Sequence, residues 1–235
     1  MDAYSQSDEK EHKNVPAEYI GWSEGSILLN EGTELKGFLN YNDKTGLLSF
    51  EQGSDSQSFR PRDVVGFEFY DEQTSKQRVF YTFSYEDPQD DIKQPLFFEV
   101  VREFERFSVL TKSDPLNVRQ RTLSTPATYN NFTGMYSSGS SVASGIEVSQ
   151  IETVYIMDKK GCISPFTQIV SKEIDGVFFD RRKSKNKLLD KDLLEQYIGK
   201  EMYEKVMAYA RKNSFKIQNK GDLFKILDYY SEISK

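Results

Sequence analysis

The hydrophobic pattern of this 235-residue chain changes period near residue 180. Before that point apolar residues alternate singly with polar ones, the period of a half-buried strand. After it they recur at spacings of three and four, the period of a helix packed on one side. Strands first and helices last imply an α+β arrangement. Charge changes at the same place. Residues 181–235 hold 14 Lys+Arg and 8 Asp+Glu; removing these from the chain totals of 31 and 37 leaves 17 and 29 for residues 1–180. A segment of net +6 therefore follows one of net −12.

Residues 25–30 and 34–41 read as a hairpin that turns over 30–33, where Gly32 supplies the positive φ of a tight turn. Leu35, Gly37, Leu39 and Tyr41 share one face of the second strand, and Glu34, Lys36 and Asn40 the other. A turn at 42–46 leads into a strand over 47–51. Pro61, just after Phe59, interrupts pairing. Val65, Phe67 and Phe69 form one alternating set, and Val79, Tyr81, Phe83 and Tyr85 another. Residues 86–91 break the pattern. Segments 96–103 and 107–111 pair around 104–106, and 152–157 pairs with 162–166 around 158–161. Aromatic residues make up 14% of the chain and suit a pleated core. The expectation is an antiparallel body over residues 18–180, about seven to ten strands in a barrel-like roll or a two-layer sandwich. Trp22 opens it as a core plug. Residues 112–150 read as a long flexible insertion, low in complexity at 137–145, and residues 1–17 as a flexible leader.

Three helices are expected at the C-terminus, over 189–198, 201–212 and 222–233. Gly199 reads as the glycine that ends the first. Asn219 with Asp222 resembles a capping box. Each helix carries one apolar stripe, so segment 181–235 is expected to pack on the body as an appendage.

Little catalytic chemistry is on offer. His12 is the only histidine and lies in the leader; Cys162 is the only cysteine and reads as a small core residue on a strand. A Cys–His pair, an intrachain disulfide and a zinc site of Cys and His ligands are thereby disfavoured. No GxGxxG, GxxxxGK[ST] or GxSxG motif occurs, and no cofactor is expected. Asp87, Asp90 and Asp91 read as a solvated acidic turn without EF-hand spacing. The 37 acidic residues leave carboxylate acid–base chemistry open, with no spacing that singles out a pair. The sequon at Asn131 matters only in a glycosylating pathway. A net charge of −6 disfavours nucleic acid as a partner. No apolar run approaches the roughly 20 residues of a spanning helix. The opening residues have no apolar stretch and do not read as a signal peptide. The sharpest charge feature is Arg181, Arg182, Lys183, Lys185 and Lys187. These five cations read either as a solvated linker against the acidic body or as a docking site for an acidic partner. No aromatic is interleaved to stack single-stranded nucleic acid.

Several short motifs occur in a recognisable order. They are Gly25-Ser26-Ile27, then Gly32-Thr33-Glu34-Leu35-Lys36-Gly37, then Pro61-Arg62-Asp63-Val64-Val65-Gly66-Phe67. The hairpin over 97–110, a Tyr155–Gly161 element and a final Tyr229-Tyr230 follow. Over residues 20–235 this order resembles a loose group of uncharacterised exported β-rich proteins of Bacteroidota. The resemblance implies a β-rich fold and placement in the periplasm or outer envelope, and it implies no catalytic residues. The leading expectation is a non-catalytic binding or scaffold protein, an accessory protein–protein interaction component of the bacterial cell envelope. The alternatives are a carboxylate-dependent hydrolase with a cleft between body and tail, and a cytoplasmic adaptor that docks through the basic run.

Overall fold

The computed structural model describes residues 21–42, 45–72, 74–87, 92–114, 117–124, 128–130, 134–137, 141–175 and 187–234. The leader with His12, Asp90, Asp91, the Asn131 sequon and the run from Arg181 to residue 186 lie outside these residues. The strands are β1 (Ser23–Leu29), β2 (Glu34–Asn42), β3 (Leu47–Gln52), β4 (Asp55–Phe59), β5 (Val64–Asp71), β6 (Lys76–Glu86), β7 (Lys93–Glu103) and β8 (Phe107–Ser113). They continue with β9 (Asn117–Ser124), β10 (Thr128–Asn130), β11 (Met135–Ser137), β12 (Ser141–Asp158), β13 (Ile163–Asp175) and β14 (Lys187–Leu188). Three helices follow, α1 (Leu193–Ile198), α2 (Lys200–Lys212) and α3 (Lys220–Ile233). Twelve strands form one antiparallel sheet in the order β14-β13-β12-β8-β7-β6-β5-β1-β2-β3-β4, with β9 also on β12; β10 and β11 pair separately. The sheet exceeds the expected seven to ten strands because β4, β9 and β14 join it, and residues 112–150 contribute β9, the separate pair β10 and β11 and the first half of β12. Those segments are rich in Ser, Thr, Asn and Gly, so apolar alternation is too sparse to mark them.

The first half of the sheet covers its own concave face. In sheet order β1, β5 and β6 lie between β2 and β7. On a flat sheet those two strands would stand about 19 Å apart. Yet Tyr41 of β2 meets Phe80 of β6 with ring centroids 4.7 Å apart, and Phe97 of β7 at 6.0 Å. The sheet is therefore rolled. Phe67 sits at the centre of the roll, 4.6 Å from Phe80 and 5.0 Å from Phe97. Ile27, Leu39, Leu48 and Phe50 complete this core. The edge strands β4 and β14 are not paired with each other, so the roll is open and not a closed barrel.

Glycines let the roll tighten. A Cβ at Gly25 would stand 2.1 Å from the Glu68 carbonyl oxygen and 2.8 Å from the Phe69 Cβ. Irregular register re-aims side chains. Leu28 pairs with Gly66 but Leu29 with Val64, so Val65 is the extra residue of a β-bulge. Val64 takes the inward position and Val65 turns out. The expected set of Val65, Phe67 and Phe69 on one face is corrected to Val64, Phe67 and Phe69 inside. On β6 the alternation holds, but Phe80 faces the roll while Tyr81, Phe83 and Tyr85 lie on the other face.

The second half of the concave face is covered by the helices. Phe107 and Val109 of β8, Val154 and Ile156 of β12 and Phe166 of β13 pack with Leu194, Val206, Leu223, Ile226 and Leu227. The body is thus a roll at one end and two layers at the other. Asn219 caps α3, its side chain accepting from the Asp222 N–H at 3.1 Å. The reciprocal half of a capping box is absent, because an Asp222 oxygen accepts from the Lys216 N–H. Gly199, with φ of +80°, ends α1 and donates to the Glu195 carbonyl. Helix α1 starts four residues later than its apolar spacing implies. Lys187 and Leu188 pair with β13, the Leu189 N–H donates to the Phe166 carbonyl, and the Asp190 carboxylate accepts from the N–H groups of Asp192 and Leu193.

Two glycine substitutions separate packing from propensity. Gly25→Ala should lower stability by about 1–3 kcal/mol, because the new methyl meets backbone across the sheet. At Gly221, on α3, the nearest atom to a new Cβ is 3.5 Å away. Gly221→Ala should raise stability by up to about 1 kcal/mol. Urea midpoints of both variants check this; shifts in the same direction would contradict the tight approach at Gly25.

Candidate functional site

Among the five cations of the basic run, only Lys187 is described; Arg181, Arg182, Lys183 and Lys185 lie outside. Lys187 is exposed on β14, paired with Gln168 of β13. Cys162 is not a core residue. It is exposed in the turn before β13, its N–H donating to the Asp158 carboxylate at 2.8 Å. The same carboxylate oxygen accepts from the Lys160 N–H, so the turn runs one residue further than the strand pattern implies. Trp22 is half-buried. Among the described residues no group of three His, Cys, Asp or Glu side chains is placed to hold a metal ion.

Lys187 lies on the rim of a cleft of about 370 Å³ where the sheet forks. Strand β7 pairs with β8 only between Glu99 and Glu103, whereas its start runs with β6 as far as Lys93. The two halves of the sheet part beyond Glu99. One wall is a row of cross-strand neighbours, Lys187, Gln168, Thr153 and Lys112, one from each of four adjacent strands. Tyr85, Asp87, Gln94 and Asp114 also line the cleft. The Lys112 ammonium contacts Asp114 at 2.9 Å.

Behind this rim the tyrosines are buried in an aromatic cluster. The Tyr155 ring lies 5.2 Å from Phe98 and 5.4 Å from Tyr85, both edge to face. Against the larger effect of burial, hydrogen bonding to Thr153 lowers the pKa of the Tyr155 hydroxyl and hydrogen bonding to Tyr155 lowers that of Tyr85. Burial pushes the Tyr155 hydroxyl well above the ordinary phenol value, and neighbouring Tyr85 and Asp114 push it the same way. Burial, then Asp87, raises Tyr85 likewise. At neutral pH both are uncharged groups that donate and accept hydrogen bonds.

A second cleft, of about 490 Å³, lies on the seam between body and tail. Arg78 donates from Nε and Nη2 to the two carboxylate oxygens of Glu99, at 3.0 and 2.8 Å, and lies 4.9 Å from the Phe80 ring. Arg102 reaches Asp228 of α3 at 3.0 Å, and Lys220 reaches Glu152 of β12 at 2.5 Å. One seam pair has its cation on the tail and the other on the body. Each such partly exposed pair is worth about 1 kcal/mol or less. The hydrolase alternative needs two facing carboxylates. In the seam cleft Asp71 lines the wall with Glu99, which Arg78 holds on both oxygens, and in the fork cleft Asp87 lines it with Asp114, which Lys112 engages.

The convex face of the roll carries a third feature. Leu28, Val65, Tyr81 and Tyr70 are 39%, 38%, 40% and 48% exposed. Leu28, Gly66 and Tyr81 are cross-strand neighbours on β1, β5 and β6. A Cβ at Gly66 would stand 2.9 Å from the Tyr81 ring, so this ring lies on bare backbone beside a groove of about 310 Å³. Glu34 and Glu68 also line the groove. Sequence alternation marks Tyr81 correctly, but only the bulge explains why Val65 joins it.

Comparison with protein families, with curated proteins and with solved structures returns no match to this chain. Among the described residues no helix is long and apolar enough to cross a membrane.

The buried phenol gives a pH signature. A raised folded-state value means the fold favours the protonated phenol. Its contribution to stability is present below the ordinary phenol value of 10.0 and is lost as pH rises above it. Denaturant midpoints should therefore fall above about pH 10, and less steeply in Tyr155→Phe, which has no proton there to lose. Equal slopes would contradict the burial of this hydroxyl.

Proposed function

We propose that this chain is a non-catalytic binding protein, an accessory protein–protein interaction component of the bacterial cell envelope. The observation that carries this reading is the convex strip of Leu28, Val65, Tyr70 and Tyr81. Apolar side chains clustered on one sheet face, with tyrosines among them and charge beside them, have the composition of a contact surface. Gly66 leaves a groove into which one side chain fits. Glu34 and Glu68 favour a partner segment with an apolar anchor flanked by Lys or Arg. The envelope placement rests on the sequence resemblance. The basic run is a second proposed contact, of which Lys187 is the described member.

Capture from an envelope extract, compared between the natural chain and Leu28→Glu/Tyr81→Glu, tests the strip. Both side chains are substantially exposed, so the circular dichroism spectrum should stay unchanged while capture falls at least about tenfold, the loss of one anchor. Equal capture would overturn the strip as the contact. Loss only on charge reversal at Arg181, Arg182 and Lys183 would transfer the function to the basic run.

A further inference from the structure

We propose that the fork cleft is a binding site for a neutral, hydroxyl-rich ligand, a saccharide unit. This goes beyond the protein contact on the convex strip. Tyr81 and Tyr85 are four residues apart on β6, about 14 Å along the strand. They are the two ends of an aromatic track through Phe83, 6.2 Å from Tyr81 and 6.1 Å from Phe98.

Three features of the cleft select the ligand. The first is charge. Two lysines and two aspartates line it, and Lys112 is already paired with Asp114. An ionic ligand therefore gains no net attraction there. The seam cleft is less suited to any polar ligand, because Arg78, Arg102 and Lys220 are each already held by a carboxylate.

The second is the mixture of hydrogen-bonding groups. Lys187 brings donors only, and Gln94, Gln168 and Tyr85 bring both donors and acceptors. A ligand hydroxyl donates and accepts, so it matches any of them in any orientation. A carboxylate or a side-chain amide also presents two polar atoms in one plane, the spacing of two adjacent ring hydroxyls. An apolar ligand would desolvate these groups without replacing their bonds to water.

The third is shape and fixity. The volume of about 370 Å³ falls within the range of about 300–1,000 Å³ seen for small-ligand clefts. Leu96 and Pro165 add apolar surface against which the C–H face of a sugar ring can lie. The Tyr85 ring packs edge to face at 5.7 Å from Phe98 and 5.4 Å from Tyr155 in the buried aromatic cluster. Its hydroxyl is thus held in place before a ligand arrives.

The full-length chain should be titrated with a panel of neutral sugars: glucose, galactose, mannose, N-acetylglucosamine and their disaccharides. Binding is read by saturation-transfer NMR. Glycylglycine and a sulfated oligosaccharide serve as zwitterionic and anionic arms. The expected result is transfer to at least one neutral sugar, with affinity lowered about tenfold in Gln168→Ala and in Gln94→Ala, the loss of one to two hydrogen bonds. Either variant suffices if the other fails to fold. No binding of any neutral sugar, binding of only the dipeptide or the sulfated probe, or undiminished binding by both folded variants would overturn the proposal. Leu28→Glu/Tyr81→Glu should bind the sugar as the natural chain does, so failure of this site and failure of the protein contact are read separately.

Discussion

The concave face of one long sheet has to be covered along its whole length, and the rest of the structure depends on how this is done. At one end β2 and β3 curl back over β6 and β7, and phenylalanines fill the space. At the other end the sheet runs on through β8, β12 and β13 with no strands left to fold over it, and α1, α2 and α3 supply the second layer. Neither part is complete alone. The helices have apolar stripes with no core among themselves large enough to hide them, and the sheet has buried positions such as Val154 and Ile156 that would otherwise face water. Burying each such side chain is worth about 1.5–3 kcal/mol, which exceeds what the seam ion pairs contribute.

The convex face follows from the same arrangement. Once the rolled half and the helical half part company beyond Glu99, the sheet forks and a cleft opens at the fork. Its polar lining is drawn from residues as distant in sequence as Tyr85 and Lys187. The aromatic track on β6 and β7 links this cleft to the exposed strip around Tyr81. The exposed strip and the fork cleft therefore sit on the face opposite the roll and the helices, where Tyr85, Phe98, Leu110 and Tyr155 form a third buried cluster.

Local chemistry was legible in the sequence where it acts locally. The hairpins around 30–33, 104–106 and 158–161, the glycine at 199 and the Asn219 cap all follow from residues within a few positions of one another. The α+β order follows from the change of period near residue 180. What was hidden depends on pairing between distant segments. The bulge that turns Val65 outward is set by β1. The strand pair that delays α1 to Leu193 is set by β13. Within 112–150, β9 is marked by register with β12 and β10 by register with β11, since their own composition reads as loop. The clefts were illegible because their linings join short pieces of segments far apart in sequence, such as 85–87, 94–96, 112–114, 153–155 and 187–189.

Native-state hydrogen exchange on the full chain carrying Ile226→Ala tests most directly whether the helices and the sheet are one cooperative unit. Ile226 is fully buried on the inner face of α3, and its truncation should cost about 2–5 kcal/mol. The most protected amides of β8 and β12 should lose protection together with those of α3, by the same free energy. Loss confined to α3, with the amides of β8 and β12 unchanged, would contradict it.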